Sequence, residues 1–390
     1  MNCRSCGGNA RQVFTLGNLP LANSLLSTPY DNFSTFPLTL MKCDGCTLIQ
    51  LDRTVPPDQL FVDYNYLTSC SPPMISHAKS LVSLILHSRQ LSNQSLVVEI
   101  GSNDGYLLQH YVSHGIPVLG IDPSERAADA ASERKVPTLR SFFNSKLGLE
   151  MHNTADLVHA NNVLAHVPDL NDFVSGLSYI LKDDGTLIIE VPYLCSVIDK
   201  TAFDQIYHEH IYQFSLTALV NLFQRHDLII TDAEEISVHG GSLRLWIKKH
   251  GGVSLNTRRL LSRESFFVGA SGYYRDFAAR VENCKNSVRD LLDNKRTAGF
   301  GAAAKATIFL NVCGITREQI PFVADDTPAK QGKFIPGTGI PIVPIADWLK
   351  SDCGQTLILC WNFAQHVAHE YSKTYHGKFF TWYTPELIGA

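Results

Sequence analysis

Short apolar runs alternate with helical periodicity over most of the chain. Leu96-Val97-Val98-Glu99-Ile100 reads as a buried strand, followed by a glycine-containing turn and a helical stretch over residues 106–114. Residues 118–122 give the next strand, with a helical stretch after Pro123, and residues 155–160 and 186–191 continue the series. Ser215 suits the N-cap of a helix starting at Leu216. Strands alternating with helices predict a parallel, doubly wound sheet, here placed in residues 72–250. A smaller alternation fills residues 297–390, with strands at 297–300, 321–325, 356–360 and 378–383 and helical runs over 304–312 and 363–375. Residues 251–296 are charged and helical in pattern, and predict a connector between the two sheets.

Residues 1–55 break this rhythm and carry two C-x-x-C pairs, Cys3/Cys6 and Cys43/Cys46. Two-residue spacing lets both sulfurs of a pair face one point, and two such pairs complete a tetrahedral thiolate site for zinc. Four cysteines leave the metal no open position, so this zinc is expected to be structural. A redox role would need only one pair, and neither opens a thioredoxin-like unit. The expected fold class is therefore α/β, with a small N-terminal zinc ribbon and two Rossmann-like units.

Composition narrows the partners. Of 390 residues, 45% are hydrophobic and 18% charged, which suits two or three globular domains. A net charge of -4 with scattered Lys and Arg offers no field to gather a nucleic acid. No apolar run approaches the roughly 20 residues needed to cross a bilayer. The start Met1-Asn2-Cys3-Arg4-Ser5-Cys6 lacks the apolar segment of a secretory signal. A cytoplasmic protein without membrane or nucleic-acid partners is expected, its ten cysteines being thiols or metal ligands.

Two loops have the form of nucleotide sites. The first is Glu99-Ile100-Gly101-Ser102-Asn103-Asp104-Gly105, at the carboxyl end of a strand where open sheets bind ligands. Its glycines permit close backbone approach, and Asp122, followed by Pro123, is placed to accept from two ribose hydroxyls. An NAD fingerprint would need glycine at 101, 103 and 106, but Asn103 and Tyr106 occupy two of those positions. The acid-x-Gly-x-x-x-Gly form matches instead the first motif of class I methyltransferases, which bind S-adenosylmethionine (SAM). Asn161 and Asn162, after the third strand, join the candidate cofactor residues. The second loop, Gly299-Phe300-Gly301-Ala302-Ala303-Ala304-Lys305, does fit G-x-G-x-x-A, with Asp325 and Asp326 ending the next strand. By itself it predicts a dinucleotide or diphosphate site with Lys305 as phosphate partner, and so an NAD(P)-dependent oxidoreductase as the rival function. An equal alternative is a turn kept for close packing.

The densest polar and aromatic cluster is Phe203-Asp204-Gln205-Ile206-Tyr207-His208-Glu209-His210-Ile211-Tyr212. A histidine can accept a proton near neutral pH, and a neighbouring carboxylate can tune it. On a helix, Tyr207 and His210 would share a face at i, i+3, with Glu209 orienting or polarising a histidine. Metal chelation by His208 and His210 lacks further ligands of recognisable spacing. His166 and His239 are single candidates, each as readily structural as catalytic.

Taken in order, these motifs resemble one family. The paired C-x-x-C knuckles, the 99–105 loop, Asn162-Val163-Leu164-Ala165-His166-Val167-Pro168-Asp169-Leu170 and Tyr207-His208-Glu209-His210-Ile211 recur in the nucleotide-sugar C-methyltransferases. So do His239-Gly240-Gly241-Ser242-Leu243-Arg244, the 299–305 loop and the run Lys330-Gln331-Gly332-Lys333-Phe334-Ile335-Pro336-Gly337. The chain resembles in particular the sugar 3-C-methyltransferases, and the resemblance covers essentially the whole chain. The resemblance implies a zinc-binding domain, a central SAM domain and a C-terminal Rossmann-like domain that does not use NAD. It implies a dTDP-linked 4-keto deoxyhexose held between the last two, in a monomer or homodimer. His210 becomes the base, with Tyr207, Glu209, His166 and Tyr66 in the catalytic set and Tyr207 or His166 donating to the C4 oxygen. Tyr64, His239, Ser242, Arg244, Lys305 and Lys330 become substrate residues. Asn65 and Cys70 depart from the family pattern, which leaves open which of Tyr64 and Tyr66 reaches substrate. A methyltransferase acting on oxygen or nitrogen is the remaining alternative, since it needs only a weak base.

Overall fold

The computed structural model describes residues 1–56, 67–293 and 296–382. Its strands, in chain order, begin with β1 (Ala10–Pro20), β2 (Thr35–Cys43) and β3 (Ile49–Leu51). Next come β4 (Val97–Ile100), β5 (Val118–Ile121), β6 (Thr138–Leu139), β7 (Ala155–Asn161), β8 (Leu181–Pro192), β9 (Tyr212–Gln213), β10 (Ile229–Ile236) and β11 (Ser242–Lys248). The C-terminal set is β12 (Thr297–Phe300), β13 (Val323–Ala324), β14 (Phe334–Ile335), β15 (Ile340–Val343), β16 (Gln355–Ile358) and β17 (Lys378–Phe380).

The central sheet has the order β10-β11-β8-β7-β4-β5-β6, in which β11 alone runs antiparallel to its neighbours. Strands β4 and β7 are buried at nearly every position, because helices cover both faces of a parallel sheet. The chain leaves β4 for β5 on one side and returns to β7 on the other, which opens a crevice above the carboxyl end of β4. The C-terminal sheet, β14-β15-β13-β12-β16-β17, repeats this switch at β12, between β13 and β16. Both Rossmann-like units of the sequence reading are present. Helices Leu255–Ser265 and Ser271–Leu292 run between the two sheets.

Local chemistry explains where the elements start. The Ser215 side chain accepts from the Ala218 amide at 3.1 Å, and Asp169 accepts from the Asn171 and Asp172 amides at 3.0 Å each. The helix expected over 106–114 is reduced to Gln109–Val112. Gly101, Asn103 and Gly105 all sit at positive φ, so the backbone turns too sharply to nucleate a helix earlier. The 203–212 segment is also not an α-helix. One turn of 3-10 helix over Phe203–Gln205 is followed by a tight turn, and the chain then enters β9.

That strand is the fourth of the N-terminal antiparallel sheet, β1-β2-β3-β9, pairing Ile49 with Gln213 and Gln50 with Tyr212. The zinc ribbon thus wedges between the other units. Cys3, Cys43, Cys46 and Leu48 join the core of the central sheet, while Phe14, Leu38, Leu40 and Ile49 join that of the C-terminal unit. Among the described residues, no helix is long and apolar enough to cross a membrane.

Candidate active site

The cofactor residues converge above β4. Gly101 lies at φ +67°, and a Cβ there would come within 2.5 Å of Val163 Cγ2, so only glycine fits. Asp122 accepts from the Asn103 amide through Oδ2 and from the Ser124 amide through Oδ1, both at 2.9 Å, which ties the loop to the end of β5. Buried polar atoms without a protein partner gather in this crevice: Glu99 Oε2, Ser102 Oγ, Asp104 Oδ1, Asn161 Oδ1 and Asn162 Oδ1. Burial and the nearby Asp122, Asp104 and Glu190 raise the Glu99 carboxyl well above its usual range. Unsatisfied acceptors beside buried acids suit a ligand with a cationic amine and hydroxyl donors, and SAM supplies both. Pro123 follows Asp122 at the crevice edge and brings no donor of its own.

A second cluster lies against this crevice. His210 Nε2 is 2.8 Å from Tyr207 Oη, and Nδ1 is 2.9 Å from the Gln205 carbonyl. A carbonyl can only accept, so Nδ1 carries the proton and Nε2 presents its lone pair to the tyrosine hydroxyl. The His166 ring meets His210 edge-on, with ring centroids 4.9 Å apart. Burial, then His166, hold the His210 imidazole well below its usual range, and burial brings His166 and His239 to about 4. These rings are neutral at pH 7. His166, Tyr207 and His239 are packed among protein atoms yet partly exposed, as expected of groups lining a deep cleft.

The far wall comes from the C-terminal unit. Lys305 Nζ lies 5.0 Å from the centre of the Trp361 ring, and Trp361 Nε1 donates to Asp204 Oδ2 at 2.7 Å. Burial lowers the Lys305 ammonium and raises Asp204 to about 6. Gly240, at φ +89°, lets the His239 turn press on Trp361, where a Cβ would sit 2.2 Å from the ring. Lys305, a phosphate partner on the loop taken by itself and a substrate residue by the resemblance, lies within electrostatic reach of His210 and His239.

Several expectations need correction. Glu209 does not touch a histidine ring: its Oε1 accepts from Asn23 Nδ2 at 2.5 Å, and burial, opposed by that bond, pushes its carboxyl up to about 7. Arg244 is not directed at substrate. It bonds Glu190 at 2.7 Å and Glu234 at 2.8 Å, in a group completed by His77, 2.8 Å from Glu190. Burial works to raise the Glu190 carboxyl, but His77 and Arg244 outweigh it and the net shift is downward. Ser242 is almost wholly buried and donates to the Val238 carbonyl at 3.0 Å. Lys330 donates to the Ala302 carbonyl at 3.0 Å and pins the second glycine loop, away from His210. In that loop Asp325 Oδ2 accepts from the Ala302 amide at 2.7 Å, repeating the Asp122–Asn103 contact of the first. Tyr64 and Tyr66 lie outside the described residues.

The sequence reading missed Asn23, His77 and Trp361, which act across long sequence separations, and Gln205, five residues before His210. Only the density of polar residues around 203–212 hinted at Gln205.

In the N-terminal unit the four sulfurs of Cys3, Cys6, Cys43 and Cys46 all lie within 4.8 Å of one another. Pairs at 3.4 Å and 3.6 Å are close to the roughly 3.8 Å edge of a tetrahedron with 2.3 Å zinc–sulfur bonds. The donor set fits zinc.

Comparison with known proteins agrees with this geometry. The chain matches the C-methyltransferase C-terminal domain over residues 237–384, a methyltransferase domain over 76–233 and a zinc binding domain over 3–61. It is 34% identical over 380 residues to the C-methyltransferase NovU of Streptomyces niveus, covering 94% of this chain and 90% of that one. The chain belongs to the C-methyltransferase family. This C-methyltransferase is a SAM-dependent enzyme with an N-terminal zinc-binding domain, and membership decides between carbon and the oxygen or nitrogen alternatives. Likeness to solved structures is fainter. Magnesium protoporphyrin IX methyltransferase of Synechocystis PCC 6803 with bound SAM is 16% identical, with 44% of this chain and 78% of that one covered and a TM-score of 0.34. The YcgJ protein of Bacillus subtilis is 16% identical, with 41% and 70% covered and a TM-score of 0.33.

Proposed function

We propose that this C-methyltransferase acts on a nucleotide-linked 4-keto deoxyhexose, with dTDP as the nucleotide, and methylates the carbon next to the ketone, C3. The observation that carries this reading is the His210–Tyr207 pair beside the cofactor crevice. A C–H next to a carbonyl is a weak acid, so carbon methylation needs a positioned base and a donor for the enolate oxygen. His210 is neutral, and its tautomer is fixed by the Gln205 carbonyl, which leaves the Nε2 lone pair to accept from the Tyr207 hydroxyl. As the Tyr207 hydroxyl turns to donate to the C4 oxygen, it releases the Nε2 lone pair to take the C3 proton.

Bound SAM supplies the electrophilic methyl. The crevice atoms on Glu99, Asp104, Asn161 and Asn162 would hold it, and the loop fixes its approach to the nucleophilic carbon. His166 and His239 line the cleft as neutral hydrogen-bonding groups, and Lys305 brings a cation to the side of the sugar nucleotide. The ribbon's metal is a structural zinc, since its four thiolates leave no open coordination position. The enzyme works as a monomer or homodimer in the cytoplasm.

Proton exchange tests the base. In D2O with SAH and a dTDP-4-keto sugar, the wild type exchanges the C3 proton, and His210→Asn lowers that rate by about 100-fold or more. Undiminished exchange in the variant would place the base elsewhere. Mass spectrometry of a panel of NDP-4-keto sugars with labelled SAM identifies the sugar, and labelling of none of them would overturn the substrate class.

A further inference from the structure

The connection after β1 brings all three units to one place. Asn23 Nδ2 donates to Glu209 Oε1 at 2.5 Å, and one residue earlier the Ala22 carbonyl accepts from Thr307 Oγ1 at 2.9 Å. Thr307 lies in the helix Ala304–Cys313, one turn or less from Lys305. Three residues on, Leu26 and Phe334 exchange backbone bonds at 2.9 and 2.8 Å, fastening the same connection to the C-terminal unit. Ala22 is 4% exposed and Glu209 5%, whereas Asn23 itself is exposed, so a buried carboxylate is held by a partner at the solvent edge.

Glu209 needs an explanation there. It lies in the catalytic turn, yet among the described residues no Lys or Arg bonds it. The groups around it are His208 and His210 along its segment, His166 packed on His210, and Asn23. His208 is directed elsewhere, at the Phe36 carbonyl, 3.1 Å away. The Asn23 amide is thus the polar group that holds the carboxylate. An amide suits both states of a buried acid, since it donates through Nδ2 to the ion and accepts through Oδ1 from the neutral form.

We infer that Asn23, delivered by the zinc-binding unit, is a positioning residue of the methyl transfer that fixes the orientation and charge of Glu209 in the catalytic turn. This rests on the placing of Glu209 in the active site, and it gives the ribbon a part in the chemistry beyond folding. Removing the donor disfavours the carboxylate and raises the Glu209 pKa. An aspartate at 23 raises it further, because a second carboxylate would then lie beside the buried one.

The test reads Glu209 directly. The zinc-loaded full chain, with SAH and no sugar, is labelled at glutamate carboxyl carbons, and the Glu209 line is identified by its loss in Glu209→Gln. Asn23→Ala is expected to move the titration midpoint up by about one pH unit, and Asn23→Asp by more. The acid limb of kcat moves with it, while the KM for SAM stays unchanged. Asn23→Ser gives the same reading should the alanine variant fail to fold. A Glu209 midpoint unmoved in these variants overturns the inference, as does a fall in melting temperature and SAH affinity with the midpoint in place. The midpoint is measured without sugar, so failure of the C3 exchange experiment leaves this result standing.

Discussion

At the scale of single residues, burial decides which polar groups work on substrate and which hold the protein together. Arg244 and His210 were both read as site residues, and both are largely buried. The His210 lone pair is held by the Tyr207 hydroxyl at the cleft, whereas Arg244 donates to Glu190 and Glu234. The two therefore respond differently to mutation. Arg244→Ala strands the Glu190 carboxylate in the core and is expected to cost about 3–5 kcal/mol of stability. Denaturant melts measure this, and a stable variant with only a raised sugar KM would restore Arg244 to the substrate site. Motif position showed that these residues matter. It could not distinguish their roles, because an ion pair between β8 and β11 depends on strand register.

At the scale of elements, the short strand β9 has consequences beyond its length. Two residues, Tyr212 and Gln213, pair with β3, which begins three residues after Cys46, and they directly follow the Tyr207–His210 turn. The metal knuckle and the catalytic turn are therefore linked through one ladder. Cys46→Ser, or chelation of the metal, is expected to abolish stoichiometric zinc binding and to speed amide exchange at Ile49, Gln50 and Gln213 selectively. Elemental analysis and hydrogen-exchange mass spectrometry check this, and undisturbed exchange at β9 would separate ribbon from turn. On a helix the 203–212 segment would bring Tyr207 and His210 to one face at i, i+3. In the structure a tight turn brings Tyr207 and His210 together just as closely, because sheet pairing takes the chain immediately after it.

At the scale of the whole molecule, the cofactor crevice and the substrate cleft differ in origin. Glu99, Gly101, Asp122 and Asn161 all belong to the central sheet. The cleft combines His166 and His210 with Asn23 from the ribbon and Lys305 and Trp361 from the C-terminal unit. Trp361→Ala removes the anchor of Asp204, the face under Lys305 and the support of Gly240. Methyl transfer is expected to fall by about 10–100-fold, which is 1.4–2.7 kcal/mol of transition-state stabilisation. SAH affinity, measured by calorimetry, stays unchanged, and parallel loss of both would show that the crevice also depends on the C-terminal unit. By itself the sequence determined the two Rossmann-like alternations, the cysteine knuckles and the glycine loops, since each depends on neighbours within a few positions. Only the tertiary structure decided that Glu209 faces Asn23, that Arg244 is an internal ion-pair partner and that Lys305 enters the histidine cleft. Those contacts join residues from 54 to 186 positions apart or different units of the fold, and they are set by how three sheets pack rather than by local spacing.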